Sequence, residues 1–388
     1  PDRGDKIATF NEIRHLSAQH EVHVFCLGDG AVDLGNLSGL RDYAASVTAV
    51  PVSASAIRFR ALRALISGRP LSVAALNEPK LHTAIRCKFA ELHPDLIIVY
   101  SCNVAQFAEH LPDVPRIMQY GDLDSLKWRQ YAQRSRIPLK WIYALEDRRL
   151  LAYERHIAHA FSHCLVHTEN ERDDFERLIP GVPVTLVGNG VDLEYFRTTG
   201  AAKRPASMIF TGVMDYRPNI DAVMWFCDDI LPAIRAEIPE ANLMICGSRP
   251  VAAVRRLAKR GGVTVTGWVA DTRPHLDRAE LFVAPLRMGR GVQNKLLEAL
   301  AMGLPCVAST AAWRGTLVPL GEGILATDDP LQFAGYIVRL LQDNKSRSEM
   351  AAKSRAAAEK EYRWELHLEH LDRAIAEVTS PSPRKHGS

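Results

Sequence analysis

The sequence predicts an α/β protein made of two doubly wound domains with parallel sheets. The chain has 388 residues, more than a single hydrophobic core usually serves. Short apolar runs rich in β-branched residues alternate with stretches of helical periodicity, and such alternation is typical of parallel sheets with helices on both faces. Residues 197–206 interrupt the pattern with Gly, Pro and no apolar periodicity. We therefore expect domains at 1–196 and 207–360, joined by a linker.

The composition argues against several classes of protein. The net charge is only +3, from 48 basic and 45 acidic residues, and gives no case for general nucleic-acid binding. The seven cysteines contain no CxxC pair and are typical of buried thiols in a reducing compartment. No apolar run reaches the length of a membrane span, and no signal-peptide pattern opens the chain. We therefore expect a cytoplasmic protein.

The first domain is expected to open with a loop that contains Gly4, Asp5 and Lys6, followed by a helix at residues 7–16. Its strands are predicted at residues 21–27, 46–50, 96–100, 116–120, 164–167 and 184–187. In a doubly wound domain such an opening loop normally follows a strand near the centre of the sheet. We therefore expect that the first strand is missing, with a disordered start as the alternative.

A basic amphipathic stretch lies at residues 56–71. Four arginines interleave there with aliphatic and aromatic side chains, namely Arg58, Arg60, Arg63 and Arg69 with Ile57, Phe59, Leu62, Leu65 and Ile66. A helix of this kind can lie on an anionic membrane surface. It can equally be an ordinary surface helix of a domain, and the sequence leaves both readings open.

The aromatic and basic stretch 120–149 begins with two acidic residues just past a predicted strand. Asp122 and Asp124 stand where the sheet of an α/β domain presents its reactive groups. An Asp-x-Asp pair also occurs in metal-diphosphate sites, but Asp is a common helix N-cap, which accounts for one of the two. We interpret Asp122 as a candidate base and Asp124 as a helix cap.

Four histidines recur at near-helical spacing, at positions His156, His159, His163 and His167. A switch from helix to strand is expected near Ser162 and would break their common face. No HExxH pattern is present. We therefore expect no metal site.

Residues 187–196 (VGNGVDLEYF) follow a predicted strand. Asn189 and Gly190 suit a turn that needs positive φ, and Asp192 can accept backbone hydrogen bonds in the next turn. By itself this pattern predicts only a turn.

The second domain repeats the alternation of strand and helix. Its strands are predicted at 208–210, 242–246, 263–265, 281–284 and 306–308, and its helices at 220–235, 251–259, 272–276 and 294–302. A terminal helix is expected at 361–378. The tail at 379–388 is rich in Pro, Ser and basic residues and is expected to be disordered.

The most informative stretch is 281–309, where a buried strand, a Gly-punctuated loop and a helix follow one another. Near the helix start the chain places Arg287, Gly289, Arg290, Gly291 and Lys295. Free amides and the helix dipole favour an anion there, such as a diphosphate. Glu298 shares a helix face with Asn294 and Lys295, and its carboxylate can accept both hydroxyls of a ribose. The alternative is a solvated helix face with an ordinary Lys and Glu pair.

Two further loops of this domain contain candidate ligand contacts. Gly212 permits close approach of the backbone to a ligand, and Arg217 can meet a phosphate or be a surface charge. Trp268 and Val269 can flank a nucleotide base, or Trp268 can belong to the core.

The stretch 281–309 resembles the donor site of GT-B glycosyltransferases of family 4. Their pattern is a Glu, seven residues, a second Glu, then Ala and a Gly-Pro-like turn. Glu298 matches the second Glu, and Arg290 occupies the position of the first. This departure, and the string DLDSLKW at 122–128, resemble the sugar transferases associated with exosortase/PEP-CTERM exopolysaccharide loci. The NGVD and Phe element at 189–196 is similar to the one that closes the family's first domain.

The resemblance implies two facing Rossmann-like domains with an interdomain cleft, a nucleotide sugar held by the second domain, and a terminal helix that crosses back onto the first. It implies a retaining, metal-independent glycosyltransferase that moves a sugar onto a glycan or lipid-linked acceptor. No cofactor is implied besides the donor substrate. The implied partners are the nucleotide sugar, the acceptor and an anionic membrane at the inner face of the plasma membrane, without nucleic acid.

On this basis Asp122, Arg290 and Lys295 are the candidate catalytic residues, with Asp122 on the acceptor side. The candidate donor-binding residues are Gly212, Arg217, Trp268, Val269, Gly289, Gly291, Asn294 and Glu298. The segment Gly4, Asp5 and Lys6 is similar to the family's first acceptor-side loop.

Two other functions stay open at this level. A nucleotide-sugar 2-epimerase on the same fold would need a set of acids and bases in the cleft, and we find no clustered His and Glu motif for one. A non-catalytic sugar-nucleotide-binding module is compatible with the lost first Glu. The sequence contains no P-loop pattern, GxxxxGK followed by Ser or Thr.

Overall fold

The computed structural model describes residues 4–28, 36–112, 114–288 and 291–380. The chain divides into two compact units. Unit 1 comprises Pro1–Gly188 and Leu368–Ser388, and unit 2 comprises Asn189–His367. Each unit is an α/β structure whose strand pairs are all parallel.

The described part of unit 1 contains two parallel sheets. Strands β1 (His23–Gly28) and β2 (Ser46–Pro51) pair with one another. A second sheet has the order β3-β4-β5-β6, with β3 at Ile97–Tyr100, β4 at Arg116–Gln119, β5 at His163–Val166 and β6 at Val184–Leu186. These strands confirm the six predicted from the sequence, with shifts of one or two residues at their ends.

The helices of unit 1 connect these strands. Among the described residues they are α1 (Gly4–Leu16), α2 (Ala54–Ser67), α3 (Leu71–Ala75), α4 (Pro79–Leu92), α5 (Asp124–Gln133), α6 (Leu139–Ala160) and α7 (Glu169–Leu178), with 3₁₀ turns at Asn36–Leu40 and Cys102–Phe107. Helix α2 begins because Ser53 Oγ accepts from the Ala56 amide at 3.2 Å. It ends at Gly68, whose φ of +77° suits glycine.

The loop predicted for the start of unit 1 needs correction. Lys6, with the backbone of Gly4 and Asp5, belongs to the first turn of α1 and does not form a loop. The helix extends that far because no proline or other breaker separates these residues from the apolar face that begins at Ile7. The expected acceptor-side loop is therefore absent from the described residues of this segment.

The core of unit 1 lies between its second sheet and the helices that cover it. Tyr120 and Phe175 are almost fully buried, with ring centroids 5.5 Å apart. The Tyr120 hydroxyl donates to the Glu154 carbonyl at 2.8 Å, so its polar end is satisfied inside the core. This packing fixes the segment that follows β4, where Asp122 stands.

Unit 2 contains one six-stranded sheet with the order β12-β11-β10-β7-β8-β9. The strands are β7 (Ser207–Thr211), β8 (Asn242–Cys246), β9 (Val263–Gly267), β10 (Leu281–Ala284), β11 (Cys306–Ala308) and β12 (Ile324–Ala326). All four residues of β10 are fully buried, as expected for a central parallel strand covered on both faces.

The helices of unit 2 flank this sheet. They are α8 (Arg217–Trp225), α9 (Leu231–Glu237), α10 (Ala252–Leu257), α11 (Arg273–Arg278), α12 (Asn294–Ala301), α13 (Thr310–Trp313), α14 (Pro330–Gln342), α15 (Asn344–Glu361) and the start of α16 (Trp364–Thr379), which continues into unit 1. The single helix predicted at 220–235 is divided by a π-helical turn at Phe226–Ile230. Pro232 follows in the first turn of α9, where its missing N–H costs least.

Residues 197–206, expected to be a free linker, pack on unit 2. Thr198 and Thr199 donate to the Asp277 carboxylate, and the Ala206 amide donates to Glu280 at 2.8 Å. The short polar side chains and free amides of the segment find acidic partners in and after α11, which ties it down despite its lack of apolar periodicity. Within the described ranges, no helix combines the length and apolarity needed to cross a membrane.

Candidate functional site

The sheet of unit 2 has a switch point between β7 and β10. From β7 the chain builds outward through β8 and β9, then returns to place β10 on the other side of β7. Met208 pairs with Leu281 and Ile209 with Phe282 across this junction. Ligands of open α/β sheets bind beyond the carboxyl ends of the strands at such a point. A ligand site is therefore expected at the loops after β7 and β10.

Two glycines bring the backbones after β7 and β8 close together. A Cβ on Gly247 would lie 1.7 Å from the Gly212 carbonyl oxygen, a distance no side chain can occupy. A Cβ on Gly212 would lie 2.8 Å from Asn219 Nδ2 and 3.0 Å from Lys295 Nζ. Both positions therefore need glycine on steric grounds. The prediction that Gly212 allows close approach of the backbone to a ligand stays a prediction, and Gly247 was not identified from the sequence.

Lys295, in the first turn of α12, points its ammonium group toward the end of β7. Lys295 Nζ donates to Asn219 Oδ1 at 2.5 Å and lies 4.6 Å from the centroid of the Phe210 ring. The Asn219 amide in turn donates to the Val213 carbonyl at 2.9 Å, so this side chain links α8, α12 and the loop after β7. The result is an amine held in place beside the Gly212 backbone at the switch point.

Glu298 follows one turn later and interacts electrostatically with Lys295. Each side chain keeps some contact with solvent, but the surrounding protein removes most of the water from both charged groups. Burial lowers the pKa of Lys295 to about 7, against the attraction of Glu298. Burial raises the pKa of Glu298 to about 7, against the attraction of Lys295. Both groups thus titrate near neutrality, and a bound anion or a hydroxyl donor would restore their charged forms.

An amide pair adjoins this cluster. Asn189 Nδ2 donates to Asn294 Oδ1 at 3.1 Å. Among the residues described, neither Asn189 Oδ1 nor Asn294 Nδ2 has a hydrogen-bond partner, although both atoms are buried. Unpaired buried polar atoms are costly, so this acceptor and donor are available to a ligand. Asn189 and Gly190 were predicted to form a turn that needs positive φ, but neither residue has a positive φ. The contact of Asn189 with the start of α12 could not be predicted from local pattern.

Other predicted donor contacts lie at the surface of unit 2. Trp268 is 74% exposed, which excludes the alternative that it belongs to the core. Val269 is partly buried against that core. Arg217 is exposed at the start of α8. Arg287 forms an ion pair with Asp221 at 2.6 Å, with its guanidinium 5.3 Å from the Trp225 ring centroid.

The loop before α12 is described only in part. Gly289 and Arg290 lie outside the described residues, so the structure says nothing of their predicted roles. Gly291 has a φ of +70°, as a glycine in a tight turn can. A Cβ on Gly315 would lie 2.2 Å from the Gly291 carbonyl oxygen, so this end of the loop packs closely on the segment after α13.

Unit 1 contains a second cluster, around Asp122. This residue follows β4 and faces Glu171 in the first turn of α7. Glu171 Oε2 accepts from the amides of His167 and Thr168 at 3.0 and 2.9 Å, while Thr168 Oγ1 accepts from the Glu171 amide at 3.2 Å. Glu171, which closes this capping box, is 4% exposed. Its other carboxyl oxygen, Oε1, is buried and has no hydrogen-bond partner among the described residues.

The Asp122 and Glu171 carboxyl groups interact directly, and a proton on one of them relieves the repulsion between two negative charges. Burial, and then the charge of Asp122, raise the pKa of Glu171 well above its usual value. Because Glu171 Oε2 already accepts two amides, its proton belongs on Oε1. The role of Asp122 as a base stays a prediction.

His167 and Tyr100 complete this cluster. His167 Nδ1 lies 2.7 Å from the Val187 carbonyl and must be its donor, so Nε2 accepts from the Tyr100 hydroxyl at 3.4 Å. Burial lowers the pKa of His167, partly opposed by Asp122. A neutral His167 is consistent with both hydrogen bonds. Neither Glu171 nor His167 was predicted as a site residue.

Asp124 differs from its predicted role. It is the first residue of α5, while the N-cap is Leu123, which makes no side-chain cap. The Asp124 carboxylate instead accepts from Asn103 Nδ2 at 2.7 Å and pairs with Lys127. Within the described part of the chain, no group of three or more His, Cys, Asp or Glu could hold a metal ion.

Residues 205–343 match the family model described as "Glycosyl transferases group 1". A Corynebacterium glutamicum protein named GDP-mannose-dependent monoacylated alpha-(1-6)-phosphatidylinositol monomannoside mannosyltransferase is 31% identical over 153 residues, 36% of this chain and 40% of that protein. The GDP-mannose:cellobiosyl-diphosphopolyprenol alpha-mannosyltransferase of Xanthomonas campestris is 23% identical over 220 residues, 54% of each chain. The matches thus span about half or less of these curated relatives.

Solved structures match over much more of the chain. The Anabaena protein HepE in complex with UDP superposes with a TM-score of 0.70 at 13% identity, over 97% of both chains. Sucrose-phosphate synthase from Thermosynechococcus elongatus gives a TM-score of 0.68 at 17% identity, over 93% of this chain and 100% of that one. The chain has the GT-B fold.

Within this GT-B fold, the predicted residues fall into two groups. Gly212, Lys295, Asn294 and Glu298 come together at the switch point of unit 2, joined by Asn219, Asn189 and Gly247. Asp122 belongs to unit 1 with Glu171 and His167. Arg287 and the segment Gly4, Asp5 and Lys6 join neither cluster as predicted.

Proposed function

We propose that the chain is a glycosyltransferase of family 4 that uses a nucleotide sugar as donor. The transfer proceeds with retention of configuration, without a metal, onto a glycan or lipid-linked saccharide in exopolysaccharide or cell-surface glycan synthesis. The observation that carries the proposal is the ammonium of Lys295, held by Asn219 beside Gly212 at the switch point. The names of the mannosyltransferase relatives and the UDP complex of HepE support it.

The departure of the nucleoside diphosphate is the step this cluster suits. As the sugar–phosphate bond breaks, negative charge develops on the leaving diphosphate and must be neutralised by groups already in place. Lys295 and the free amides at the start of α12 supply that charge. Arg290, which replaces the first Glu of the family pattern, is the second proposed cation.

Recognition of the nucleoside is assigned to Glu298 and the loop after β9. An ionised Glu298 accepts two hydrogen bonds from the ribose hydroxyls, which offsets the cost of burying its charge. The exposed Trp268 ring and Val269 offer a surface on which a base can stack. A ligand that covers the 74% exposed indole would also remove a large apolar surface from water.

The acceptor is assigned to unit 1, with Asp122 as its candidate base. The raised pKa of Glu171 lets it carry the proton of the pair, so that an ionised Asp122 would be free to accept a hydrogen bond from an acceptor hydroxyl. The leaving phosphate is the other group that can take up the hydroxyl proton. The proposed compartment is the cytoplasm, where the seven unpaired cysteines stay reduced.

Product analysis tests the proposal. The protein is incubated with GDP-mannose, UDP-glucose or UDP-N-acetylglucosamine and with lipid-linked saccharide acceptors, with and without EDTA. We expect acceptor-dependent release of the nucleoside diphosphate, an unchanged rate in EDTA, and retained anomeric configuration in the product. Lys295→Met should lower kcat by about 10²–10³, the usual effect of removing one charge-stabilising group. Asp122→Asn should lower turnover without changing nucleotide binding.

Two outcomes would overturn it. Conversion of a nucleotide sugar to its C2 epimer without acceptor would identify an isomerase. Nucleotide binding without transfer to any acceptor and without hydrolysis of the donor would identify a binding module.

A further inference from the structure

Helix α2 exposes an apolar face that the rest of unit 1 does not cover. Phe59, Leu62 and Ile66 are 61%, 64% and 92% exposed. Spacings of three and four residues place them on one side of the helix. Only Ala64 of this helix is buried. The face is therefore turned outward, whereas an ordinary amphipathic helix buries its apolar side.

A second exposed apolar group stands at the start of α6. It consists of Ile137, Leu139 and Trp141, which are 61%, 49% and 65% exposed. Helix α6 is tied to α2 by Arg149, whose guanidinium donates to the carbonyls of Ala64 at 2.9 Å and Leu65 at 3.1 Å. Trp141 precedes Arg149 by eight residues, about 12 Å along the helix. Arg149 thus joins α6 to the last turns of α2, and the two exposed groups are together called the apolar surface.

The two segments that carry the apolar surface contain basic residues and no acidic ones. Residues 52–77 and 125–145 contain no Asp or Glu. Arg58 and Arg63 are exposed on α2, and Arg63 lies 5.9 Å from the Phe59 ring centroid. Arg136 and Lys140 are exposed beside Trp141. Cations that flank exposed aromatic and aliphatic side chains complement an anionic lipid interface, where the apolar groups enter the headgroup region.

A second copy of the chain fits this surface less well. A twofold contact would bring each cationic patch against itself, and like charges across an interface are repulsive. An anionic membrane neutralises the same cations.

We propose that unit 1 docks on an anionic membrane through the apolar surface, with Phe59, Leu62 and Ile66 inserted and Arg58 and Arg63 on the lipid phosphates. This deepens the proposed function, since a lipid-linked acceptor lies at such an interface. Vesicle binding is measured without turnover, however, so a failure here is distinct from a failure of the proposed activity.

Vesicle sedimentation tests the docking. The purified protein is mixed with vesicles of phosphatidylcholine alone or with about one third phosphatidylglycerol. We expect binding to the anionic vesicles that weakens with salt. The variant F59S/L62S/I66S should bind at least tenfold more weakly. Arg58→Gln and Arg63→Gln should each weaken binding about fivefold, the usual effect of one basic residue near such a surface.

The matched control is L317S/L320S/L331S, which removes three exposed leucines from unit 2. It should bind as the wild type does. Thermal unfolding of each variant establishes that it is folded. Equal binding of the wild type to neutral and anionic vesicles, or unchanged binding of F59S/L62S/I66S, would overturn the proposal. So would sedimentation that shows a wild-type dimer and a monomeric F59S/L62S/I66S variant, which would make the face an interface between copies.

Discussion

Lys295 Nζ lies 2.5 Å from Asn219 Oδ1 and 4.6 Å from the Phe210 ring centroid. The neutral Asn219 amide and the Phe210 ring hold the Lys295 amine in position, but they stabilise its positive charge less than water does. Burial therefore lowers the pKa of Lys295 to about 7. A diphosphate placed beside it would reverse this shift. These contacts of Lys295 therefore predict that nucleotide binding is coupled to the uptake of a proton.

At pH 8 the free protein should hold Lys295 mostly neutral, and binding of a nucleoside diphosphate should take up about one proton. Glu298, with a pKa of about 7, is already largely ionised at that pH and adds little. Isothermal titration calorimetry in buffers of different ionisation enthalpy measures the uptake. Lys295→Met should abolish it, whereas Lys353→Met, which removes an exposed lysine paired with Glu322, should not. Binding without proton uptake would contradict the assignment of Lys295 to the diphosphate.

Gly247→Ala should destabilise the protein, because the added Cβ would lie 1.7 Å from the Gly212 carbonyl oxygen. Relief requires the two loops to separate, and we expect a loss of about 3 kcal/mol in the free energy of unfolding, as for severe overpacking. Denaturant unfolding measures it. Gly335→Ala is the control, since Gly335 lies inside α14 with open space around it and should gain about 0.5–1 kcal/mol. A neutral Gly247→Ala would show that the two loops are not in contact.

Glu171 is buried, and most substitutions at such a position lower the free energy of unfolding. Glu171→Gln should nevertheless be tolerated. The amide keeps an oxygen for the His167 and Thr168 amides and gives a donor to Asp122, as the protonated carboxyl does. The same change at Glu146 should be destabilising by about 1–3 kcal/mol, because both carboxyl oxygens there accept from Leu71 and Ser72 and an amide nitrogen would face a donor. Equal losses for the two variants would show that Glu171 is ionised.

The stability of these proteins should also differ with pH. The folded pKa of Glu171 is raised, so its contribution to stability is full below the unfolded value near 4.5 and is lost as the pH rises toward the folded pKa. Glu171→Gln has no proton to lose. Between pH 5 and pH 8 its free energy of unfolding should therefore rise relative to that of the wild type, by as much as about 1.4 kcal/mol per pH unit. Thermal unfolding across this range measures the difference.

The strand and the helix that carry the site, β10 and α12, were predicted well from the sequence, and there is a physical reason for this. Strand β10 is a short apolar run and helix α12 carries apolar residues at helical spacing, so both are determined by local pattern. Glu298 and Lys295 then follow from the 3.6-residue period. The burial of β10 could be predicted from its apolar sequence without knowledge of the strand order.

Glu171 and Gly247 could not be found in this way. The helix sequence ENERDDFERL is typical of a solvated surface, and Glu171 is buried only because β4 and β5 are neighbours, which brings the Asp122 segment over its N-terminus. Gly247 is one of 24 glycines. Its close approach to Gly212 depends on the register that pairs Thr211 with Cys246. That register is a property of the tertiary structure.

A thermal-shift panel tests the central claim, that unit 2 binds a nucleotide sugar at Lys295 and Glu298. The wild type and Glu298→Ala are heated with UDP, GDP, ADP and their sugar conjugates. A ligand at 100 times its dissociation constant should add about 2.7 kcal/mol to the folded state, a rise of several degrees in Tm. We predict such a rise for one nucleotide class in the wild type and its loss in Glu298→Ala. A folded wild type that responds to none of these nucleotides, or a response that Glu298→Ala keeps in full, would contradict the claim.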